Sequence, residues 1–249
     1  MSASRQPRPV YGAPAIPVTL IPIVGIPEVA PGADLAEMIV EAAIGSAVEI
    51  VDDDVLVVTQ KIISKAEGRI KEVHPYDLEA RLMIVEMEAA RIVRRRGDLI
   101  IAETRHGFIC ANAGVDTSNL EPGQVTLLPV DPDKSARRLR YRIRQLTGNH
   151  PAVIISDTFG RPWRLGQVNL AIGVAGMLPV IDYRGERDHF GVPLKVTQIA
   201  IADELASAAE LVMGKADGVP AALARGVRYR KGRGHARALV RHPTDDLFR

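Results

Sequence analysis

The composition of this 249-residue chain, with 47% hydrophobic and 25% charged residues, is ordinary for a globular protein. No apolar run reaches the ~18 residues needed to cross a bilayer, and the first residues lack the apolar core of a signal peptide, so we expect neither membrane insertion nor export. The 32 basic and 30 acidic residues leave a net charge of +2, which disfavours a strongly basic nucleic-acid binder. Cys110 is the only cysteine, which favours a cytoplasmic location because no internal disulfide can form.

Hydrophobic periodicity and turn residues predict an alternation of strands and helices that follows no fixed repeat. In chain order, the predicted elements are a strand at 18–24, a helix that begins after Asp34, a strand at 54–59, a helix at 77–95 that Gly97 ends, strands at 99–103, 108–113 and 123–129, a helix at 135–146 that Gly148 ends, strands at 152–156, 168–175 and 178–183, a helix at 198–213 that Gly214 ends, and a strand at 218–224. This order favours an α+β fold with mixed sheets and flanking helices over a barrel or a repeat array. Residues 1–16 are predicted to form a flexible arm, and residues 228–249 a basic tail or linker.

The basic residues are mostly arginine, 25 against 7 lysines, and many of them lie in clusters at 91–96, 137–144 and 225–241. Guanidinium groups suit bidentate contact with phosphate or carboxylate. The clusters therefore leave two interpretations open. They are solvated faces of ordinary elements, or they are anion sites of a non-catalytic nucleotide- or RNA-binding module.

The common signatures of nucleophilic, zinc and phosphate-loop chemistry are absent from the sequence. His106 and Cys110 lie four residues apart, but a buried structural thiol is a better interpretation than a nucleophilic pair. Any chemistry must therefore rest on carboxylates, amides, basic side chains and metal ions.

Two polar segments follow predicted strands, which is where catalytic loops commonly lie. Residues 59–69 carry two lysines and an arginine, and they form either a phosphate-binding segment or a solvated loop. Residues 106–119 contain Asp116, which either caps an Asx turn or contributes to an oxygen-rich site for Mg²⁺ or Mn²⁺.

A third polar segment, residues 155–167, places Asp157 at the end of a predicted strand. Thr158 adds a hydroxyl group beside it, and Arg161 and Arg164 add positive charge. Trp163, the only tryptophan, lies between the arginines, where its ring is available to stack on a planar ligand. Two aspartate-bearing segments in one chain favour a Mg²⁺ site, which typically uses one or two carboxylates plus substrate phosphates.

Four segments closely resemble, in order and spacing, those of the coenzyme F420-0:γ-glutamyl ligase family, and the resemblance spans residues 17–227. They are Lys-Ile-Ile-Ser-Lys-Ala-Glu-Gly-Arg at 61–69, Ala-Asn-Ala-Gly-Val-Asp-Thr-Ser-Asn at 111–119, Ser-Asp-Thr-Phe-Gly-Arg-Pro-Trp-Arg at 156–164 and Leu-Val-Met-Gly-Lys-Ala-Asp-Gly-Val-Pro at 211–220. The resemblance implies a GTP-dependent ligase that adds L-glutamate to the phospholactyl tail of the deazaflavin coenzyme F420-0, and then further γ-linked glutamates, through an acyl phosphate. It also implies two sites for Mg²⁺ or Mn²⁺, K⁺ as a further candidate ion, and an intertwined homodimer of two-subdomain protomers.

The resemblance carries roles onto individual residues. Asp116 and Asp157 match the catalytic carboxylates that hold the first metal ion, and Thr158 matches a ligand of the second, with the Gly214 backbone nearby. The residues that match GTP-lining segments are Ile26, Pro27, Glu28, Val29, Gln60, Lys61, Lys65, Asn119, Val212, Met213, Gly214, Lys215, Ala216, Asp217 and Gly218. Arg161 and Arg164 are expected to contact the anionic substrate.

Two departures from the family pattern and one further resemblance stand out. Some relatives carry small hydroxyl residues in place of Gln60 and Lys61, and the segment after Gly214 is one residue shorter than in others. Residues 242–249 resemble the linker that leads, in actinobacterial members, to a fused flavin-binding reductase-like domain. The resemblance leaves open whether such a domain is missing here or the protein is a single-domain member.

Overall fold

The computed structural model describes residues 16–247 and has the expected mixed α+β architecture. Most of the predicted flexible arm, and the last two residues of the predicted tail, lie outside the described residues. The helices are α1 (Leu35–Gly45), α2 (Gln60–Ala66), α3 (Leu78–Glu88), α4 (Pro132–Thr147) and α5 (Ile201–Met213). The strands are β1 (Thr19–Pro22), β2 (Val55–Thr59), β3 (Ile70–Glu72), β4 (Ala89–Arg96), β5 (Leu99–Thr104), β6 (Ile109–Ala111), β7 (Gln124–Thr126), β8 (Ala152–Arg161), β9 (Arg164–Ala175), β10 (Ile181–Asp182), β11 (Gln198–Ile199) and β12 (Ala221–Arg225).

A five-stranded sheet with the order β1-β12-β2-β8-β9 forms the centre of the molecule. Its strands β2 and β8 are parallel, and its other neighbours are antiparallel. Residues 55–58 and 152–155 are almost fully buried, because helices α4 and α5 pack on the sheet and leave neither face of these strands to water. Continuous apolar runs of this kind made both strands predictable.

The carboxyl ends of the parallel strands β2 and β8 lie side by side, with Thr59 opposite Ser156. From this edge β2 passes directly into helix α2, whereas β8 continues past the end of β2 and returns as its antiparallel neighbour β9. Functional side chains on both segments are thereby brought to the same edge.

Local capping signals were read correctly from the sequence. The Asp34 carboxylate accepts hydrogen bonds from the backbone N–H groups of Ala36 and Glu37 at the start of α1. Gly148 ends α4 in the left-handed conformation, with a φ of 79°.

The predicted helix at 77–95 is wrong in its second half. Helix α3 ends at Glu88, and the following residues form β4, which pairs with β5. Strand pairing sets Arg91 opposite Glu103, and the two side chains form an ion pair. This cross-strand pairing outweighs the helical propensity of the arginines. Gly97, with a φ of 60°, therefore closes a turn between two strands and does not end a helix.

Three further predictions need correction. Residues 60–66 are a helix with several buried side chains and not a solvated loop, because α2 packs between the sheet edge and α1. The spacing of Leu139, Ile143 and Leu146 predicts that all three lie on the buried face of α4, but Leu146 is 37% exposed and lies outside it. Only Ile181–Asp182 of the predicted strand at 178–183 pairs as a strand.

Residues beyond β12 pack against the central body. Ala236 is buried, and its N–H donates to Asp133 Oδ1. The N–H of Leu178 donates to the carbonyl of Arg230, and Met177 forms a β-bridge with Lys231. No helix within residues 16–247 has the length and apolar character needed to span a membrane.

Candidate functional site

The first cluster of the candidate site joins α2 to the segment that precedes β7. Lys61 lies in the first turn of α2, and its side chain is only 12% exposed. Its Nζ lies 2.7 Å from Asp116 Oδ2, 2.6 Å from Ser118 Oγ and 2.5 Å from the Ser118 carbonyl oxygen. We call these oxygen atoms the first oxygen cluster.

The structure confirms the first of the two interpretations of Asp116, the Asx turn. Its carboxylate accepts hydrogen bonds from the Ser118 N–H at 2.9 Å and the Ser118 hydroxyl at 2.8 Å, which is an Asx turn. The same carboxylate binds the Lys61 ammonium group. Burial alone would raise the pKa of Asp116, but Lys61 and Ser118 outweigh it and hold that pKa below its usual value.

Asp157 lies on β8 beside this cluster. Burial and the nearby charge of Asp116 raise the pKa of its carboxyl group, whereas the Thr158 N–H and the charges of Lys61 and Lys215 lower it, and the net result is a pKa of about 6. Asp116 and Asp157 are thus electrostatic neighbours although they are far apart in the sequence. The structure places Asp157 within a strand and not at its end, because β8 extends to Arg161 in a hairpin with β9.

A second oxygen cluster lies on the same hairpin and next to the end of α5. Lys215 Nζ lies 2.6 Å from Thr158 Oγ1, 3.1 Å from Asn169 Oδ1 and 3.0 Å from Glu210 Oε1. The Asn169 amide nitrogen donates to Glu210 Oε2 at 2.7 Å, which fixes the carboxylate. The second oxygen cluster, as we call it, consists of Thr158 Oγ1, Asn169 Oδ1 and Glu210 Oε1.

The remaining sequence-predicted segments meet around the two clusters. Lys65 is buried on α2 and forms an ion pair with Glu28, which brings residues 26–29 to this edge. Asn119 Nδ2 lies 3.4 Å from the Lys215 carbonyl oxygen, which ties the segment after Asp116 to residues 212–218. Four segments that are distant in the sequence are therefore joined by side-chain contacts.

Gly214 has a backbone conformation that only glycine adopts easily, with a φ of 61° and a ψ of 175°. A β-carbon at this position would lie 2.1 Å from Asp217 Oδ2. The backbone between α5 and Lys215 thus requires glycine, which places Lys215 over the hairpin.

Arg161 and Arg164 lie farther out on the hairpin. They face each other across its turn, and the Arg161 guanidinium donates to the carbonyl of Leu165 at 2.5 Å. Trp163 lies in the turn with a φ of 59° and is 80% exposed. A hairpin tip, and not a loop at a strand end, therefore carries these residues.

Cys110 and His106 take no part in either cluster. Burial and the charge of Asp157 raise the pKa of the Cys110 thiol to about 12, so the thiol stays protonated and is a poor nucleophile. The position of Cys110 outside the two clusters and its raised pKa agree with the interpretation of Cys110 as a buried structural residue.

The donor chemistry of both clusters fits hard cations, because each already holds an ammonium group on carboxylate, amide, hydroxyl or carbonyl oxygen atoms. Within residues 16–247 no three His, Cys, Asp or Glu side chains converge as a metal-binding group. Each cluster contains one carboxylate, which is within the number that Mg²⁺ usually takes from a protein.

Sequence reasoning did not identify Asn169 and Glu210 as site residues. They come from β9 and α5, which are 41 residues apart and meet only when the helix packs on the sheet. The sequence carries one signal for Asn169, because it is a polar residue inside an otherwise apolar strand pattern. In the structure it is 3% exposed.

Several arginines of the three clusters form ion pairs with the protein itself. Their acidic partners are spread over different elements, in the pairs Arg91–Glu103, Arg95–Glu86, Arg137–Asp131, Arg142–Asp34 and Arg225–Asp54. Pairing of this kind favours solvated and structural roles over a continuous surface for nucleic acid.

The fold and the site together define an α+β protein in which carboxylate, amide and hydroxyl oxygen atoms and several lysines gather at one sheet edge. The chain belongs to the F420-0:γ-glutamyl ligase family, whose profile matches residues 24–226. It is 44% identical to coenzyme F420:L-glutamate ligase of Methanothermobacter thermautotrophicus over 93% of this chain and 99% of the relative. It is 45% identical to the protein of that name from Methanopyrus kandleri over 96% and 99% of the two chains. The resemblance and the enzyme class, an amide-forming ligase, are confirmed.

Proposed function

We propose that this protein is a GTP-dependent ligase of the cytoplasm that adds L-glutamate to coenzyme F420-0 and then adds further γ-linked glutamates. The relatives named coenzyme F420:L-glutamate ligase support the acceptor and the amino acid, since they align over nearly the whole chain. The observation that carries the nucleotide-dependent reaction is the convergence of Lys61, Lys65, Asp116, Asp157 and Lys215 at one sheet edge.

The proposed reaction has two steps. The γ-phosphoryl group of GTP passes to the carboxylate of the coenzyme's phospholactyl tail, which gives an acyl phosphate and GDP. The amine of glutamate then attacks the acyl carbon, the C–O bond to phosphate breaks, and the amine gives up a proton as the amide forms. Neither step needs a covalent bond to the protein, in keeping with the protonated thiol of Cys110.

The protein's contribution is positioning and charge compensation. Asp116, Asp157 and Thr158 would hold Mg²⁺ or Mn²⁺, which would supply neutralisation of phosphate charge, and the Gly214 backbone lies at the second cluster. Lys65 on the rigid helix α2 is a phosphate contact, and residues 26–29 and 212–218 line the nucleotide. Arg161 and Arg164 at the hairpin tip attract the anionic coenzyme. K⁺ remains a candidate for a further ion.

A homodimer is part of this proposal. Helix α3 buries only Val85 among its eleven residues, while Met83 and Met87 are 54% and 69% exposed. Leu78 on this helix, and Ile92 and Leu99 on the neighbouring strands β4 and β5, are exposed as well, and these apolar side chains are the proposed contact with a second copy. Sedimentation velocity measures the association state directly.

The test is Asp157→Asn, measured by GDP release with the coenzyme and glutamate each omitted in turn. We expect wild-type GDP release to need both substrates, and the variant to lose at least about 100-fold in kcat. Its fold should persist, because burial already disfavours the charged form of Asp157. A variant that kept most of its activity would contradict the assignment, and salt-sensitive RNA binding without turnover would support the non-catalytic module instead.

A further inference from the structure

Both oxygen clusters are already occupied by a cation that the protein itself supplies. An ammonium group has three N–H donors, and each of the two lysines has three oxygen partners. The donors of Lys61 and Lys215 are therefore fully used. Each lysine neutralises a carboxylate, Asp116 in the first cluster and Glu210 in the second.

The same oxygen atoms are the ligands that a divalent cation would take. Carboxylate, amide, hydroxyl and carbonyl oxygens bind hard cations at about 2.0–2.6 Å, a range that overlaps the shortest of the contacts made by Lys61. An ammonium group and a divalent ion cannot occupy one set of ligands together, since they would fill the same volume and repel each other.

We propose that Lys61 and Lys215 are resident counter-ions of the two oxygen clusters and that each leaves its cluster when a divalent ion binds there. This inference rests on the metal dependence in the proposed function. The exchange adds one consequence to that function: binding of the metal moves Lys61 and Lys215 at the sheet edge where the proposed nucleotide-binding segments also lie. Lys61 and Lys215 thus act as positioning residues, which keep the carboxylates paired until the metal arrives.

The two exchanges differ in what surrounds the lysine. The Lys215 side chain is 61% exposed and can leave for solvent. The Lys61 side chain is 12% exposed, so its charge must find another anionic partner inside the site. Lys61 is therefore the stricter test of the exchange.

Calorimetric titration with Mn²⁺ alone measures the competition. Lys61→Met keeps the apolar stem and removes the competing charge, so we expect its Mn²⁺ dissociation constant to fall about tenfold, in line with the strength of charged hydrogen bonds. Lys65→Met is the matched control, because Lys65 lies on the same helix, is equally buried and pairs with Glu28 outside both clusters. Its Mn²⁺ affinity should stay within about twofold of wild type.

Lysine acylation followed by mass spectrometry tests the movement in the wild-type protein. Lys61 and Lys215 should react slowly without metal and faster when Mg²⁺ alone is added, whereas the exposed residues Lys71 and Lys195 should not change. This readout needs no variant, so a folding defect in Lys61→Met cannot obscure it.

The outcomes separate the two proposals. If wild type binds Mn²⁺ but the reactivity of Lys61 is unchanged by Mg²⁺ and Lys61→Met binds no tighter, the exchange is wrong and the ligase proposal stands. If neither protein binds Mn²⁺, with or without GTP, both the exchange and the metal dependence fail.

Discussion

Thr158 and Asn169 face each other across the β8–β9 hairpin, and the Thr158 hydroxyl donates to Asn169 Oδ1 at 2.8 Å. The amide nitrogen of Asn169 donates in turn to Glu210 on α5. One buried amide thus connects the hairpin to the helix and orients two oxygen groups of the second cluster. Side chains in this position commonly change metal affinity or activity when they are removed.

Asn169→Ala should lower ligation between about 10- and 100-fold, because Thr158 and Glu210 lose their shared partner. The matched control is Ser207→Ala, since the Ser207 hydroxyl donates to the Asn169 carbonyl oxygen and touches neither oxygen cluster. The control should lose about 1 kcal/mol of stability but keep its activity. Equal losses of activity in both variants, measured by GDP release and thermal melts, would point to a purely structural role.

Asp34 gives a prediction that depends on pH. Burial opposes the shift, but hydrogen bonds from Arg142 and from the start of α1 hold the pKa of Asp34 below its ordinary value of 3.8. A depressed pKa stabilises the fold above pH 3.8, and that contribution is lost as the pH falls through the folded-state pKa. Asp34→Ala should therefore cost about 1–2 kcal/mol of unfolding free energy at pH 7 and much less near pH 2. Urea unfolding at pH 7 and at pH 2 measures this loss of unfolding free energy, and Glu41→Ala, a substitution at an exposed position, is the control. A loss that is the same at both pH values would contradict the proposed dependence on the pKa of Asp34.

The segment after β12 yields a prediction about stability. A β-carbon on Gly234 would lie 2.1 Å from the Met177 carbonyl oxygen and 2.7 Å from Pro179 Cδ. Gly234→Ala should destabilise the protein by about 1–3 kcal/mol, because backbone atoms cannot move aside cheaply. Gly45→Ala, at the end of α1 with no atom within 4 Å, should be neutral or slightly stabilising in the same thermal melts. A Gly234 variant as stable as wild type would mean that this segment is loosely attached.

Elements set by local chemistry were predictable from the sequence, and elements set by distant pairing were not. The N-cap at Asp34 and the buried run at 55–58 depend on neighbouring residues and on composition alone. Residues 89–96 become a strand only because β5 is present to pair with them. The arginine-rich run has no hydrophobic periodicity that would predict this strand. The extension of β8 beyond Ser156 was not predictable for the same reason. Strand β8 continues past the end of β2 because it pairs with β9, and this pairing exists only in the folded sheet.

The candidate site shows the same division. Asp116, Asp157 and Thr158 each lie in a polar run next to an apolar strand, so the sequence singles them out. Asn169 and Glu210 join them through the packing of α5 on β9, which no local pattern encodes. The pairing of Lys61 with Asp116 spans 55 residues and likewise depends on the fold.

Trp163 occupies a turn position that is unfavourable for folding, which makes its role at the hairpin tip testable. A left-handed φ costs a residue with a side chain about 1–2 kcal/mol, and here a large, 80% exposed ring bears that cost. If the ring stacks on the deazaflavin, Trp163→Gly should raise the KM for the coenzyme about tenfold while the melting temperature rises or stays unchanged. Trp163→Phe keeps an aromatic face and should stay within about threefold of the wild-type KM without any gain in stability. Steady-state kinetics at saturating GTP and thermal melts measure both quantities, and a glycine variant with an unchanged KM would show that the coenzyme binds elsewhere.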